Sequence, residues 1–172
     1  MKKVLIVEDE ILARLGLRQL VDWKKLELEL LPDATDGEEA LEMIRNSCPD
    51  IILLDLNIPK VSGLEILEFL KKEEMPTKVI VVSCQEEFDV VKKAMKLGAY
   101  DYLRKLNLSS DELENILEKC LVETEERITV HMQGIREIRY EEIVRDSRDI
   151  LAGACNSVSY THLRAHETLS DL

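Results

Sequence analysis

Three observations predict an α/β fold with a doubly wound parallel sheet. Short apolar runs recur along the chain at Val4–Val7, Ile51–Leu54, Val79–Val82 and Tyr100–Leu103. Runs this short, without strict alternation, read as strands buried on both faces. Segments of helical spacing separate them, and strand–helix alternation implies parallel pairing with helices on both sides of the sheet. The third observation is chemical. The acidic pair Glu8-Asp9, then Asp55, Ser83 and Lys105, stand at the C-terminal ends of these runs.

The first strand is expected over residues 3–8. Ile11, Leu12, Leu15, Leu20 and Val21 then supply the apolar face of a helix reaching Trp23. Residues 28–34 read as a weaker, edge-like strand. Asp36 is placed to cap a helix over residues 38–46, with Ala40, Leu41 and Ile44 facing the core. The central strand is expected over residues 50–55, followed by a loop with Pro59 and Gly63 and a helix over residues 64–72. A fourth strand over 78–83 leads to a helix over 87–97, which Gly98 ends. The fifth strand covers residues 99–104, and Ser109 through Glu112 open a fifth helix in the manner of a capping box. Five βα units in about 120 residues make one domain.

Composition narrows the function. The 172 residues carry a net charge of -12, which argues against a nucleic-acid-binding surface on this chain, since phosphate contacts need clustered Lys and Arg. No stretch approaches the length of a membrane span. The N-terminal apolar run is cut short by Glu8-Asp9-Glu10, so it is no signal-peptide core. Cys48, Cys84, Cys120 and Cys155 are widely spaced, which speaks against zinc or a disulfide framework and for a reduced, cytoplasmic protein.

Ligands of open α/β sheets bind outside the carboxyl ends of the strands. Three carboxylates, a hydroxyl and an ammonium therefore converge on one rim. Acidic oxygens suit Mg²⁺, while Ser and Lys suit a phosphoryl group. Singly, each residue has a plain structural explanation: Asp9 a helix cap, Ser83 a turn, Lys105 a solvated cation, Tyr102 core. Jointly, those explanations require an accidental convergence.

The segments Val4–Glu10, Ile52–Pro59 with Gly63, Val79–Ser83 and Gly98–Lys105 resemble the receiver domain of bacterial two-component response regulators over residues 1–122. The resemblance implies a flavodoxin-like five-stranded sheet in the order 2-1-3-4-5 with a C-terminal helical extension. It implies that Asp55 takes a phosphoryl group from a sensor histidine kinase. Asp9, Asp55 and the backbone carbonyl of Asn57 would hold Mg²⁺, with Glu8 acting through water. Lys105 and Ser83 would contact phosphoryl oxygens, and Ser83 and Tyr102 would relay the event to the surface of the fourth helix and fifth strand. A regulatory phosphoacceptor with slow self-dephosphorylation is implied, rather than an enzyme acting on a separate substrate.

The chain departs from the family pattern at Leu106, where Pro is common after the lysine, and at Cys84, where Ala or Gly often follows the hydroxyl. Gly16-Leu-Arg18 and Val21-Asp-Trp23 are similar to receivers joined to AraC-type helix-turn-helix output domains, so DNA contact is expected only through such a domain, missing here. The alternative is a stand-alone receiver that acts through protein–protein interaction. A flavodoxin binding flavin is disfavoured, because Glu8-Asp9-Glu10 would repel a phosphate there. A small-molecule aspartyl phosphohydrolase is disfavoured because it resembles DxD after the first strand, whereas Asp55-Leu-Asn57 follows the third.

Beyond the receiver, Leu117, Leu121, Thr124, Ile128, His131, Ile135, Ile138 and Glu142 are spaced alternately four and three apart. This imperfect heptad seam predicts a helical linker over 123–157 that could pair two copies as a homodimer on phosphorylation, or could pack elsewhere. The run from Val158 to Thr168 (VSYTHLRAHET) is similar to a translated transposase sequencing adapter. Residues 158–172 are accordingly read as a non-native tail that truncates the chain, and His162 and His166 are rejected as a metal pair.

Overall fold

Five strands pair in parallel in the order β2-β1-β3-β4-β5, with the apolar β1, β3 and β4 at the centre. They are β1 (Lys2–Val7), β2 (Leu28–Leu30), β3 (Ile51–Leu54), β4 (Lys78–Ser83) and β5 (Asp101–Arg104). The helices are α1 (Ile11–Leu20), α2 (Gly37–Ser47), α3 (Gly63–Lys72) and α4 (Phe88–Lys96), followed by α5 over residues 110–123. A single 3₁₀ turn, Lys105–Asn107, links β5 to α5. The computed structural model describes residues 1–84 and 87–123. The expected linker beyond residue 123 and the tail over 158–172 lie outside the described residues.

Because successive strand residues face opposite ways, the sheet buries two separate cores. Leu5, Val7, Ile52, Leu54, Val79 and Val81 face Ala40 and Ile44 of α2, Ile66, Leu67 and Leu70 of α3, and Ala94 of α4. Val4, Ile6, Ile51, Leu53, Ile80 and Val82 face Leu17 of α1 and Leu113, Ile116, Leu117 and Cys120 of α5. Burial on both sides is the reason β1, β3 and β4 read as continuous apolar runs. The strand order reverses between β1 and β3, which opens a crevice at their C-terminal ends.

The expected edge strand over 28–34 is shorter than predicted. Pro32 has no N–H to donate, so pairing stops at Leu30 and returns only as a bridge between Val7 and Ala34. The first helix also differs from expectation. It ends at Leu20, and Trp23 folds back so that its Nε1 donates to the Arg18 carbonyl at 2.9 Å. Ile11, Leu12 and Leu15, expected in the core, are exposed by 63%, 75% and 49%, whereas Leu17 is buried. Two arginines on α1 tie it down at its edges: Arg18 pairs with Asp33, and Arg14 reaches the end of β1.

Leu117 and Leu121 do not begin a free seam. Leu117 is fully buried and Leu121 packs against the same core. Those two positions therefore belong to the packing of the sheet domain itself, and Thr124 through Glu142 lie outside the described residues.

Helix starts are set by local chemistry. Asp36 caps α2 by accepting from the amides of Glu38 and Glu39 at 3.0 Å each. Ser62 and Glu65 form a reciprocal capping box at α3. Ser109 Oγ accepts from the Glu112 amide at 3.2 Å, which is the capping contact expected for α5. Gly63 has no room for a side chain: a Cβ there would lie 2.6 Å from both the Asp55 carbonyl and Leu56 Cα. The N-terminus of α3 can thus press directly on the loop that follows β3.

Candidate functional site

Strand register brings the predicted residues to one rim. Val7 pairs with Leu54, so Glu8 and Asp55 emerge side by side, and the Asp55 amide donates to the Val7 carbonyl at 3.0 Å. Ser83 pairs with Arg104, which puts Lys105 one residue beyond the end of β5. Asp55 is 6% exposed. Its Oδ1 accepts from Ser83 Oγ at 2.8 Å and from the Asn57 amide at 3.2 Å. Its Oδ2 accepts from Lys105 Nζ at 2.6 Å.

Lys105 Nζ also lies 2.5 Å from Glu8 Oε2. Glu8 is buried, and its Oε1 accepts from the Glu10 amide at 3.2 Å. Glu8 Oε2 is buried, and the Lys105 ammonium is the cation that pairs with it. Burial pushes the Glu8 carboxyl above its ordinary range, against the opposing pull of Lys105. Burial draws the Lys105 ammonium down, but its contacts with Asp55 and Glu8 outweigh that and hold it above its ordinary value.

Asp9 is exposed at the mouth of the same crevice. Glu8, Asp9 and Asp55 each offer an oxygen, all within 4.8 Å of one another. Three carboxylates face one ammonium, so negative charge is in excess, and an all-oxygen set of this kind is compatible with Mg²⁺.

The remaining expected positions are more peripheral. Asn57 is exposed, with its amide on Asp55. Tyr102 is half-buried against the core of the α2–α4 face, opposite Val81 in register. Cys84 is exposed, and Leu106 is 77% exposed. No peptide bond among the described residues is cis.

Sequence reasoning missed Arg14. Its Nη1 donates to the carbonyls of both Glu8 and Asp9 at 2.8 Å. Guanidinium-to-carbonyl contacts leave no trace in residue periodicity. The only available sign was a basic residue in the second turn of the helix after the acidic pair.

Residues 4–118 match the model of the response regulator receiver domain. An uncharacterized response regulatory protein of Staphylococcus epidermidis is 34% identical over 69% of this chain and 46% of its own length. The uncharacterized transcriptional regulatory protein YesN of Bacillus subtilis is 30% identical over 82% of this chain and 38% of its own. The chain thus spans less than half the length of these curated relatives. Among solved structures, the REC domain of AraT, a response regulator from Geobacillus stearothermophilus, is 32% identical. It covers 73% of this chain and 97% of its own, with a TM-score of 0.67. No helix of the described residues is long and apolar enough to cross a membrane. With two thirds of its length matched by the family model and the acidic rim in place at the strand ends, the chain belongs to the response regulator receiver family.

Proposed function

We propose that this chain is the phosphoacceptor of a two-component signalling system, with Asp55 accepting a phosphoryl group from the phosphohistidine of a sensor histidine kinase. The observation that carries this reading is the setting of the Asp55 carboxylate, gripped by Ser83 Oγ at 2.8 Å and Lys105 Nζ at 2.6 Å beside Glu8 and Asp9. An aspartate carboxylate is ionised at neutral pH and needs no general base to attack. One Asp55 oxygen forms the new O–P bond as the P–N bond breaks, and that bond's electron pair stays on the imidazole nitrogen. Lys105 and Ser83 then transfer from the carboxylate to phosphoryl oxygens, where a cation and a hydroxyl donor offset the charge carried by the group. Asp9, Asp55 and the Asn57 carbonyl would hold Mg²⁺, with Glu8 acting through water, and the ion supplies counter-charge to the carboxylates and the transferring group.

Withdrawal of Ser83 toward the phosphoryl group vacates space next to β5, and Tyr102 on that strand carries the change to the α4–β5 surface. The downstream consequence is control of a DNA-binding output domain. The similarity to YesN of Bacillus subtilis, a transcriptional regulatory protein, supports this. Incubating the chain with acetyl phosphate and Mg²⁺, then mapping the modified residue by mass spectrometry, tests the assignment. Labelling is expected on Asp55 alone; undiminished labelling of Asp55→Ala refutes it.

A further inference from the structure

We infer that Arg14 is a positioning residue for the acidic rim, holding the Glu8-Asp9 backbone so that the Asp9 carboxylate stays within reach of Glu8 and Asp55. Glu8 and Asp9 lie just past the end of β1, where the sheet no longer supplies donors to their carbonyls. Arg14 Nη1 supplies them, at 2.8 Å to each. One guanidinium nitrogen shared by consecutive carbonyls fixes the orientation of both peptide groups, and with it the direction in which both side chains leave the backbone.

The two acidic residues differ in how much they need this. Glu8 is also held by its own contacts to the Glu10 amide and Lys105. The exposed Asp9 carboxylate has no hydrogen bond or ion pair among the described residues. Its neighbours Glu8 and Asp55 repel it. Only its backbone keeps it within 4.8 Å of them, and Arg14 restrains that backbone. The Glu8 amide is held by the Ala34 carbonyl at 3.0 Å, but Glu10 makes no side-chain cap at the start of α1, so Arg14 is the side chain that holds the two carbonyls.

The inference rests on the Mg²⁺-dependent reading of the rim. It predicts the opposite sign from a simple charge effect. Removing a cation from beside an acidic pocket should tighten Mg²⁺ binding through Coulombic attraction, whereas loss of positioning should weaken it. Outer contacts that orient metal ligands are worth about tenfold or more in affinity.

The test is a calorimetric titration of Mg²⁺ alone into the full chain, wild type against Arg14→Ala and Arg14→Lys, with the urea midpoint of each measured without Mg²⁺. Arg14→Ala is expected to bind about tenfold more weakly, and Arg14→Lys, which keeps a cationic donor but on a shorter, more flexible and differently shaped side chain, to fall between. Raising Mg²⁺ to saturation should restore the initial rate of acetyl phosphate labelling in Arg14→Ala, which a damaged fold would not allow. Equal or tighter binding by Arg14→Ala overturns the inference, as does a rate deficit that persists at saturation. If Arg14→Ala does not fold, Arg14→Lys decides: unchanged affinity overturns the inference and weakened affinity supports it. Failure of the wild type to bind Mg²⁺ brings down the reading of the rim as well, whereas wild-type binding that Arg14→Ala matches removes only the role of Arg14.

Discussion

Lys105 Nζ sits 2.6 Å from Asp55 Oδ2, joining residues fifty positions apart across the mouth of the sheet. The same ammonium lies 2.5 Å from Glu8, so a single cation separates two buried carboxylates. Its removal would leave both uncompensated. Losing one partner of a buried pair costs about 3–5 kcal/mol. The Lys105 side chain keeps 15% of its exposure at a rim that opens to water, which places the expected loss for Lys105→Met nearer 2–3 kcal/mol. Urea unfolding of the two proteins measures it; a loss under about 0.5 kcal/mol, typical of an unremarkable surface change, would contradict the pairing.

Gly63→Ala should destabilise the domain although alanine is the better helix former by about 1 kcal/mol. The added Cβ would meet the Asp55 carbonyl and Leu56 Cα at 2.6 Å, and backbone cannot swing aside as a side chain can. Overpacking of this kind costs about 1–3 kcal/mol. Because the displaced atoms belong to Asp55 and its neighbour, acetyl phosphate labelling should slow as well. A variant as stable as wild type would show that the loop yields without cost.

Acid sensitivity should trace partly to Asp36. Its carboxylate pairs with Lys60 at 2.6 Å and accepts two amides at the start of α2. The Lys60 contact, followed by those amides, holds it below the ordinary value of 3.8. A depressed carboxyl stabilises the fold above its unfolded value, and that stabilisation is lost as pH falls through the folded value. The stability difference between wild type and Asp36→Asn should therefore be constant near neutrality and shrink below about pH 4. Urea midpoints collected across that range decide the matter, and a difference that stays constant down to strong acid would exclude Asp36 as a source.

Two leucines of similar appearance in the sequence should behave differently. Leu117 is fully buried beneath the sheet, and Leu12 is 75% exposed. Leu117→Ala is expected to cost about 2–5 kcal/mol, and Leu12→Ala less than about 0.5 kcal/mol. Thermal or urea unfolding distinguishes them, and equal losses would overturn the placement of α1 and α5.

Phosphorylation should strengthen self-association only modestly. Tyr102 lies on the strand next to the α4 surface, but burial of Leu117 removes the first position from the heptad seam. Sedimentation at tens of micromolar, with and without beryllofluoride and Mg²⁺, reports the change. Monomer in both samples would exclude a dimer switch in this chain, leaving the assignment of Asp55 untouched.

The sheet and most of its rim were legible in the residues because of a simple physical constraint. A parallel strand buried on both faces must be apolar throughout, so the first polar residue after each run marks the strand's end and the crevice beyond it. Val4–Val7 followed by Glu8, and Ile51–Leu54 followed by Asp55, are direct readings of that rule. The limits of β2 were less legible because Pro32 breaks an edge strand that pairs on one side only.

By itself, then, the sequence determined the five strands, the helices between them and the polar residues of the rim, because local burial imprints apolar runs and caps directly on residue order. Tertiary structure alone decided which face of α1 meets the sheet. Spacing shows that Ile11, Leu12 and Leu15 share a stripe with helical period, but not that Leu17 is the residue turned inward. It alone assigned Leu117 to the domain core, since a seam spaced four and three apart fits a partner helix and a home sheet equally well. It alone revealed Arg14 on the carbonyls of Glu8 and Asp9, because a hydrogen bond to a backbone oxygen depends on where the chain returns in space and is indifferent to the side chain that owns the oxygen.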